Sequence, residues 1–212
     1  IDRAPIGASY IPGHAHADTL SFELSIFGHR MIVNSGTSVY GSSNERLRQR
    51  STLSHSTVVI DNQNSSEVWS GFRVARRAKV FGIKSSIDND KIYLSAQHNG
   101  FKRLSGSPIH RRSWIFKEGT IEVIDYIYGK GVHDIKVMFP LHPLVEIIDI
   151  NQNQVDIGMI ENKSKIVFEG IGELKVQKST YHPEFGATVS NIKLVYQLVG
   201  NLPVKVTTRI NW

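Results

Sequence analysis

The chain alternates short runs of apolar and β-branched residues with tight clusters of turn formers, and that rhythm constrains its fold more than any other feature. TVVI (57–60), KIYLSA (91–96), SWIF (113–116), TIEVIDYI (120–127), DIKVMF (134–139), KIVFEG (165–170), ELKVQK (173–178), IKLVYQLV (192–199) and VKVTTRI (204–210) all read as strands. DNDK, KEGT, YGKG, NQNQ and ENKS punctuate them. ELKVQK and IKLVYQLV alternate as a sheet does with one face on the core and one in water. No amphipathic helix competes, so the pattern predicts an all-β fold: an antiparallel β-sandwich of about a dozen strands with little or no helix, one domain over residues 1–212. The stretch from Asn34 to Ser56 is poor in apolar residues and rich in Ser, Gly and Arg. A loop of that size is expected to carry function.

Hydrophobic residues make up 40% of the chain, enough for a core without covalent staples. There is no cysteine, which excludes disulfides and thiolate metal sites. No apolar run reaches the roughly 18 residues of a membrane-spanning helix. Residues 1–112 carry 15 Lys and Arg against 8 Asp and Glu, whereas residues 113–212 carry 10 against 11. Eleven of the twelve arginines lie in the first part, as if it met an anionic partner. Too few aromatics are interleaved with this charge, and no recognised module appears, so a nucleic acid is not the expected partner. The chain opens on Ile1-Asp2 without Met, and we expect it to be a piece of something longer.

Chemistry concentrates in GHAHADTLSFELSIFGHRMIVNSG, residues 13–36. Read as a strand, it puts His14, His16, Asp18, Leu20, Phe22, Leu24 and Ile26 on one face, polar at its start and apolar afterwards. That suits a strand whose first third lines a cleft. A helix is the rival, with His14 and Asp18 one turn apart, but Thr19, Ser21, Phe22, Ser25 and Phe27 disfavour it. Gly28-His29 reads as a hairpin turn, which sets Asn34 opposite Glu23; a bulge is needed to bring Asn34 toward His16. His14, after a Pro-Gly turn, is the candidate proton-transfer group. His16 with His55 offers nitrogen ligands to zinc, or a structural hydrogen-bonded pair. No G-x-S-x-G elbow and no phosphate loop is present.

PGHAHADTLSFEL, IVNSGTSVY, RQRSTLSHSTVVID and SSEVWSGFRVARRAKV, followed by HRRSWIF (110–116) and HPEFGATV (182–189), together resemble the heparinase II/III-like family over nearly the whole chain. The resemblance implies the C-terminal β-sandwich of a polysaccharide lyase that cleaves uronate-containing glycan by β-elimination. It also implies that an N-terminal α/α toroid of the same chain is missing and supplies a catalytic tyrosine. Aligned by motif, the sandwich's catalytic histidine is His14, acting as base or as carboxylate partner. His16 matches a ligand of a structural zinc in some relatives, with His55 as a second. The third position holds Asn34 here where those relatives have aspartate, so the resemblance allows either a zinc or a metal-free cluster orienting His14. No other cofactor is implied.

Tyr40 is a candidate for the sugar or a packing residue. Arg46, Arg50, Arg73, Arg76 and Arg77 are candidates for binding glycan carboxylates, although Arg73, Arg76 and Arg77 cannot all share one strand face. Trp69 is expected as a buried anchor of its loop, with Glu67 beside it. An extracytoplasmic location is suggested by the substrate class alone, and the isolated domain is expected to be inactive. The rival reading is a module that binds anionic glycan without cutting it, in polysaccharide assembly or export; a third is a structural domain whose histidines only knit the fold.

Overall fold

A computed structural model describes residues 1–8, 10–160 and 162–212. Two antiparallel sheets carry the fold. The larger has eight strands in the order β11-β12-β13-β16-β9-β8-β7-β6: β6 (Val80–Asp88), β7 (Lys91–His98), β8 (Ile109–Lys117), β9 (Thr120–Tyr128), β11 (Glu146–Asn151), β12 (Gln154–Met159), β13 (Asn162–Glu169) and β16 (Val204–Asn211). The smaller has four in the order β14-β15-β10-β3: β3 (Val58–Ile60), β10 (Val132–Pro140), β14 (Glu173–Tyr181) and β15 (Val189–Asn201). Two hairpins stand apart from them: β1 (Leu24–Ile26) with β2 (His29–Ile32), and β4 (Val68–Trp69) with β5 (Arg73–Val74). The dozen strands of the two main sheets match the sequence expectation. All nine runs read as strands are strands, most of them longer by a few residues at their ends.

Alternation fills the space between the sheets. Trp114, Val123, Ile127, Ile166, Phe168 and Val206 of the large sheet meet Ile135, Val137, Phe139, Leu194 and Tyr196 of the small one in one buried cluster. Phe168 stacks on Tyr196 at 5.2 Å between centroids, with Phe139 at 5.7 Å from Phe168. Fully burying side chains of this size contributes about 1.5–3 kcal/mol each. The intervening residues Val59, Met138 and Val195 point to the other face of the small sheet. They are buried as well, because Leu53 packs over them.

Leu53 belongs to the long loop, which is more ordered than the sequence suggested. It contains a helix, α1 (Asn44–Arg50), and a single 3₁₀ turn (Thr52–Ser54). Ser43 caps α1 by accepting a hydrogen bond from the Arg46 backbone N–H. The helix has no apolar stripe, and its buried residues are Arg46, Gln49 and Arg50. The reading of residues 14–26 as a strand needs correction. Only Leu24–Ile26 pairs, and Leu20 lies at φ 62°. The hairpin turn is Phe27-Gly28, one residue earlier than expected, with Ile26 opposite His29 and a bulge between Leu24 and Ser25.

Candidate functional site

Residues 13–22 have no sheet partner, so their backbone groups must be satisfied some other way. Backbone bonds outside any sheet take several N–H groups, as Ala17 N–H to Arg50 O and Leu20 N–H to Asp2 O, and side chains of the next forty residues and of β8 take most of the carbonyls. Arg46 Nη2 donates to the Gly13 carbonyl at 2.9 Å and Arg50 Nε to that of Ala15 at 2.9 Å. Thr52 Oγ1 donates to Ala17 O, Thr57 Oγ1 to Thr19 O, and Arg112 Nη1 to Leu20 O at 2.9 Å. Ser56 both donates to the Phe22 carbonyl and accepts from its N–H. Phe22 then plugs into the core against Trp114 and Phe139. The Ser, Thr and Arg richness of the loop therefore serves as bracing for the His14 segment.

That placement corrects the expectation for two arginines. Arg46 and Arg50 are wholly buried. Arg50 spends its remaining donors on Ser70 O and Arg73 O at 3.1 Å each, and Arg46 Nε reaches Gly71 O at 3.3 Å. Neither guanidinium is presented to a glycan. Arg77 is likewise committed, with Nη1 on the carbonyls of Ile6 (3.1 Å) and Ala8 (2.8 Å). Arg76 is exposed and paired with Glu67 at 3.0 Å. Arg73 is exposed and lies over the Trp69 ring at 5.5 Å. Trp69 itself is 52% exposed, so it is no buried anchor; its hairpin is too short to cover it.

His16, His55 and Asn34 do come together. His16 Nδ1 lies 3.3 Å from His55 Nε2, and His55 Nδ1 lies 3.1 Å from Asn34 Oδ1. At the other end, His16 Nε2 sits 3.3 Å from Arg46 Nη1 and 3.2 Å from Thr37 Oγ1. A guanidinium only donates, so His16 Nε2 accepts and His16 carries its proton on Nδ1. That proton points at His55 Nε2, and His55 in turn donates from Nδ1 to Asn34. The chain Arg46→His16→His55→Asn34 thus has one polarity, set by the arginine. Burial, followed by the neighbouring His55 and Arg46, holds His16 down to about 2; burial holds His55 at about 4. Both imidazoles are neutral at physiological pH.

The same geometry tests the zinc that the resemblance allows. Two ring nitrogens face one another, but Asn34 is spent on the far nitrogen of His55, and a cation abuts His16. Among the described residues no group of three or more His, Cys, Asp or Glu could hold a metal ion. Zinc normally takes three protein ligands or more, so this donor set does not fit it. Asp18 gives no help: it pairs with Asp2, and burial raises both carboxyls to about 6.

His14 stands at the exposed rim of this braced cluster. Its Nδ1 is 2.9 Å from Tyr40 Oη, and the rings meet edge to face at 5.5 Å. Tyr40 rests on Arg46, whose guanidinium carbon is 4.9 Å from the ring centre. It also stacks with Phe72 (6.1 Å, 23°) and Phe185 (5.4 Å, 26°). Phe185 arrives from the 182–188 loop. His182 N–H donates to Ser35 O at 2.7 Å, and Gly186 N–H to Ser38 O at 2.9 Å. The loop passes so close to Gly36 that a Cβ there would lie 2.1 Å from the His182 carbonyl oxygen, and Gly36 has φ +77°. Sequence reading missed Phe72, Phe185 and Thr37. The signals were the segments IVNSGTSVY for Thr37, SSEVWSGFRVARRAKV for Phe72 and HPEFGATV for Phe185.

The heparinase II/III-like C-terminal family matches residues 1–212. The chain belongs to that family. A search of curated proteins finds no match. Among solved structures, this heparinase II/III-like domain is similar to heparan sulfate lyase HepC from Pedobacter heparinus, at 20% identity and TM-score 0.80, covering 100% of this chain and 32% of that one. It is also similar to a crystal structure of heparinase III, at 18% identity and TM-score 0.77, covering 93% of this chain and 30% of the other. These likenesses establish the fold, and the chain spans about a third of the length of those relatives. No helix among the described residues is long and apolar enough to cross a membrane.

Proposed function

We propose that this domain forms one wall of the cleft of a polysaccharide lyase acting on uronate-containing glycan, and that His14 is its contribution to catalysis. The observation that carries the reading is the His14–Tyr40 pair, exposed at the rim and braced from below by buried arginines. β-Elimination removes the proton α to the uronate carboxylate and expels the glycosidic oxygen. It needs the carboxylate neutralised, a base, and an acid for the leaving oxygen. With Nδ1 engaged by Tyr40, the atom His14 offers a substrate is Nε2. The Arg46 cation under the Tyr40 ring favours the phenol as donor. Tyr40 O–H then points to Nδ1, and the neutral imidazole carries its proton on Nε2. In that state His14 donates to the uronate carboxylate and stabilises the enolate-like charge that develops.

The base and the acid come from elsewhere, and the likeness to lyases roughly three times longer supports a toroid on the same chain as their source. The Arg46–His16–His55–Asn34 chain acts as a metal-free strut that holds the Gly13–His14 backbone. Heparan-type glycans are the natural first substrates, given the names of the solved relatives. The test is to follow ultraviolet absorbance of the unsaturated product with the 212-residue chain and with the full chain carrying its N-terminal toroid. We expect turnover from the full chain only. Robust turnover by the domain alone would sink the shared-cleft reading.

A further inference from the structure

We propose that the groove beside the His14–Tyr40 pair is a second sugar subsite, which seats a neighbouring acidic pyranose and reads its anionic group through Arg73. The inference rests on the lyase reading of His14 and extends it to a second residue of the glycan.

The groove measures about 430 Å³ and is lined by Tyr10, Pro12, Phe72, Arg73, Val74 and Arg77. Gly13 closes the end next to His14. Phe72 is shared: it stacks with Tyr40 and also lines the groove, so the two sites are contiguous. The lining is what a sugar ring needs. Tyr10 and Phe72 are 82% and 47% exposed and offer faces for pyranose C–H groups. No acidic side chain lines it.

Arg73 is the distinctive element. Arg30, Arg48 and Arg76 each pair with a glutamate, at 2.7, 2.6 and 3.0 Å. Arg73 pairs with no carboxylate among the described residues; its guanidinium lies over Trp69 at 5.5 Å instead. An aromatic face fixes the side chain without consuming its N–H donors, which leaves the planar fork for a carboxylate or sulfate. Its backbone is fixed as well, because the Arg73 carbonyl accepts from buried Arg50. Arg77 adds positive field while tying down the Ile6–Ala8 strand of chain that adjoins the groove.

The test uses the full toroid-bearing chain with two probes: an unsulfated uronate tetrasaccharide and its sulfated counterpart. Arg73→Gln is expected to raise KM on a tetrasaccharide about 10-fold, the size of one lost charge-assisted contact, with kcat within about twofold. A KM change confined to the sulfated probe identifies sulfate as the group read; a change on both tetrasaccharides identifies the carboxylate. The thermal midpoint should not move, since the Arg50 bond goes to the backbone. Unchanged KM on both tetrasaccharides, with turnover still abolished by His14→Ala, would overturn the subsite and leave the lyase reading intact. Full turnover by His14→Ala would instead remove the reading beneath it.

Discussion

Replacing Asp125 with Asn should destabilise the domain more than almost any other change that preserves shape. Asp125 and Arg112 are both wholly buried. Asp125 Oδ1 accepts from Arg112 Nε at 2.7 Å and from His110 Nε2 at 2.6 Å, and Oδ2 accepts from Arg112 Nη2 at 2.9 Å. His98 completes the group: its Nδ1 accepts from Gly100 N–H, so its Nε2–H donates to His110 Nδ1. Burial raises the Asp125 carboxyl, but the Arg112 charge and the His110 bond outweigh it and hold it at about 2. Asp125→Asn removes the buried negative charge paired with Arg112 and turns an amide N–H₂ toward donors. Breaking one side of a buried pair costs about 3–5 kcal/mol. At about 2–4 °C per kcal/mol for a chain of this length, the thermal midpoint should fall by roughly 6–20 °C. Circular dichroism melts of the 212-residue chain measure it. Asp156→Asn is the control, since that carboxylate faces an exposed lysine at 3.8 Å and should matter by no more than about 0.5 kcal/mol. A fall of less than about 3 °C for Asp125→Asn would refute the reasoning. Arg112 also holds the carbonyls of Leu20 and Ser56, so the variant should loosen the His14 segment too.

Acid should unfold the domain from near neutrality downward. His16, His55, His98 and His110 all titrate below the usual imidazole value in the fold, chiefly through burial. Their contribution is complete above about pH 6.5 and is lost as pH falls toward the folded values; at pH 5, His16 and His55 each cost about 2 kcal/mol. Asp2 and Asp18, raised to about 6, act with the opposite sign. The more buried Asp18 returns about 1.4 kcal/mol at pH 5 and the more exposed, solvent-screened Asp2 less than that, together below what the two histidines cost. Urea midpoints measured from pH 7.5 to 5 should fall, and a flat or rising profile would contradict the buried neutral histidines. Chelation should do nothing: with a strut in place of a metal centre, EDTA should leave the thermal midpoint within about 1 °C, whereas a structural zinc would lower it by several degrees.

The sheets were legible because their strands alternate cleanly. β6, β11 and β12 were not recognised, for physical reasons. VFGIKSSID and EIIDIN form the two edges of the large sheet, exposed along most of their length, and Gly82 and Gly158 interrupt β6 and β12. Residues 13–22 misled because period-two hydrophobicity reports which residues are buried and not what the backbone pairs with. Here Thr19, Leu20, Ser21 and Phe22 are all buried, and side chains together with isolated backbone bonds to Asp2 and Arg50 replace the ladder. Helix α1 was hidden because arginines, not aliphatic residues, form its buried face. The meeting of His16, His55 and Asn34 was visible through family resemblance. The Phe72–Tyr40–Phe185 stack was not, because no local pattern links residues more than a hundred positions apart. Arginine richness was read as surface for binding, whereas Arg46, Arg50 and Arg112 are interior braces; composition counts charges without saying what they face.

The most direct measurement is the lyase rate of the full chain with His14 replaced by Ala and, separately, by Gln. His14 is exposed, so neither change should move the thermal midpoint. Loss of a donor aimed at developing charge predicts a fall in kcat of about 100-fold or more for His14→Ala, with part of it regained by His14→Gln, which keeps an N–H. A rate for His14→Ala within about threefold of the parent would contradict the assignment of His14 to the substrate carboxylate.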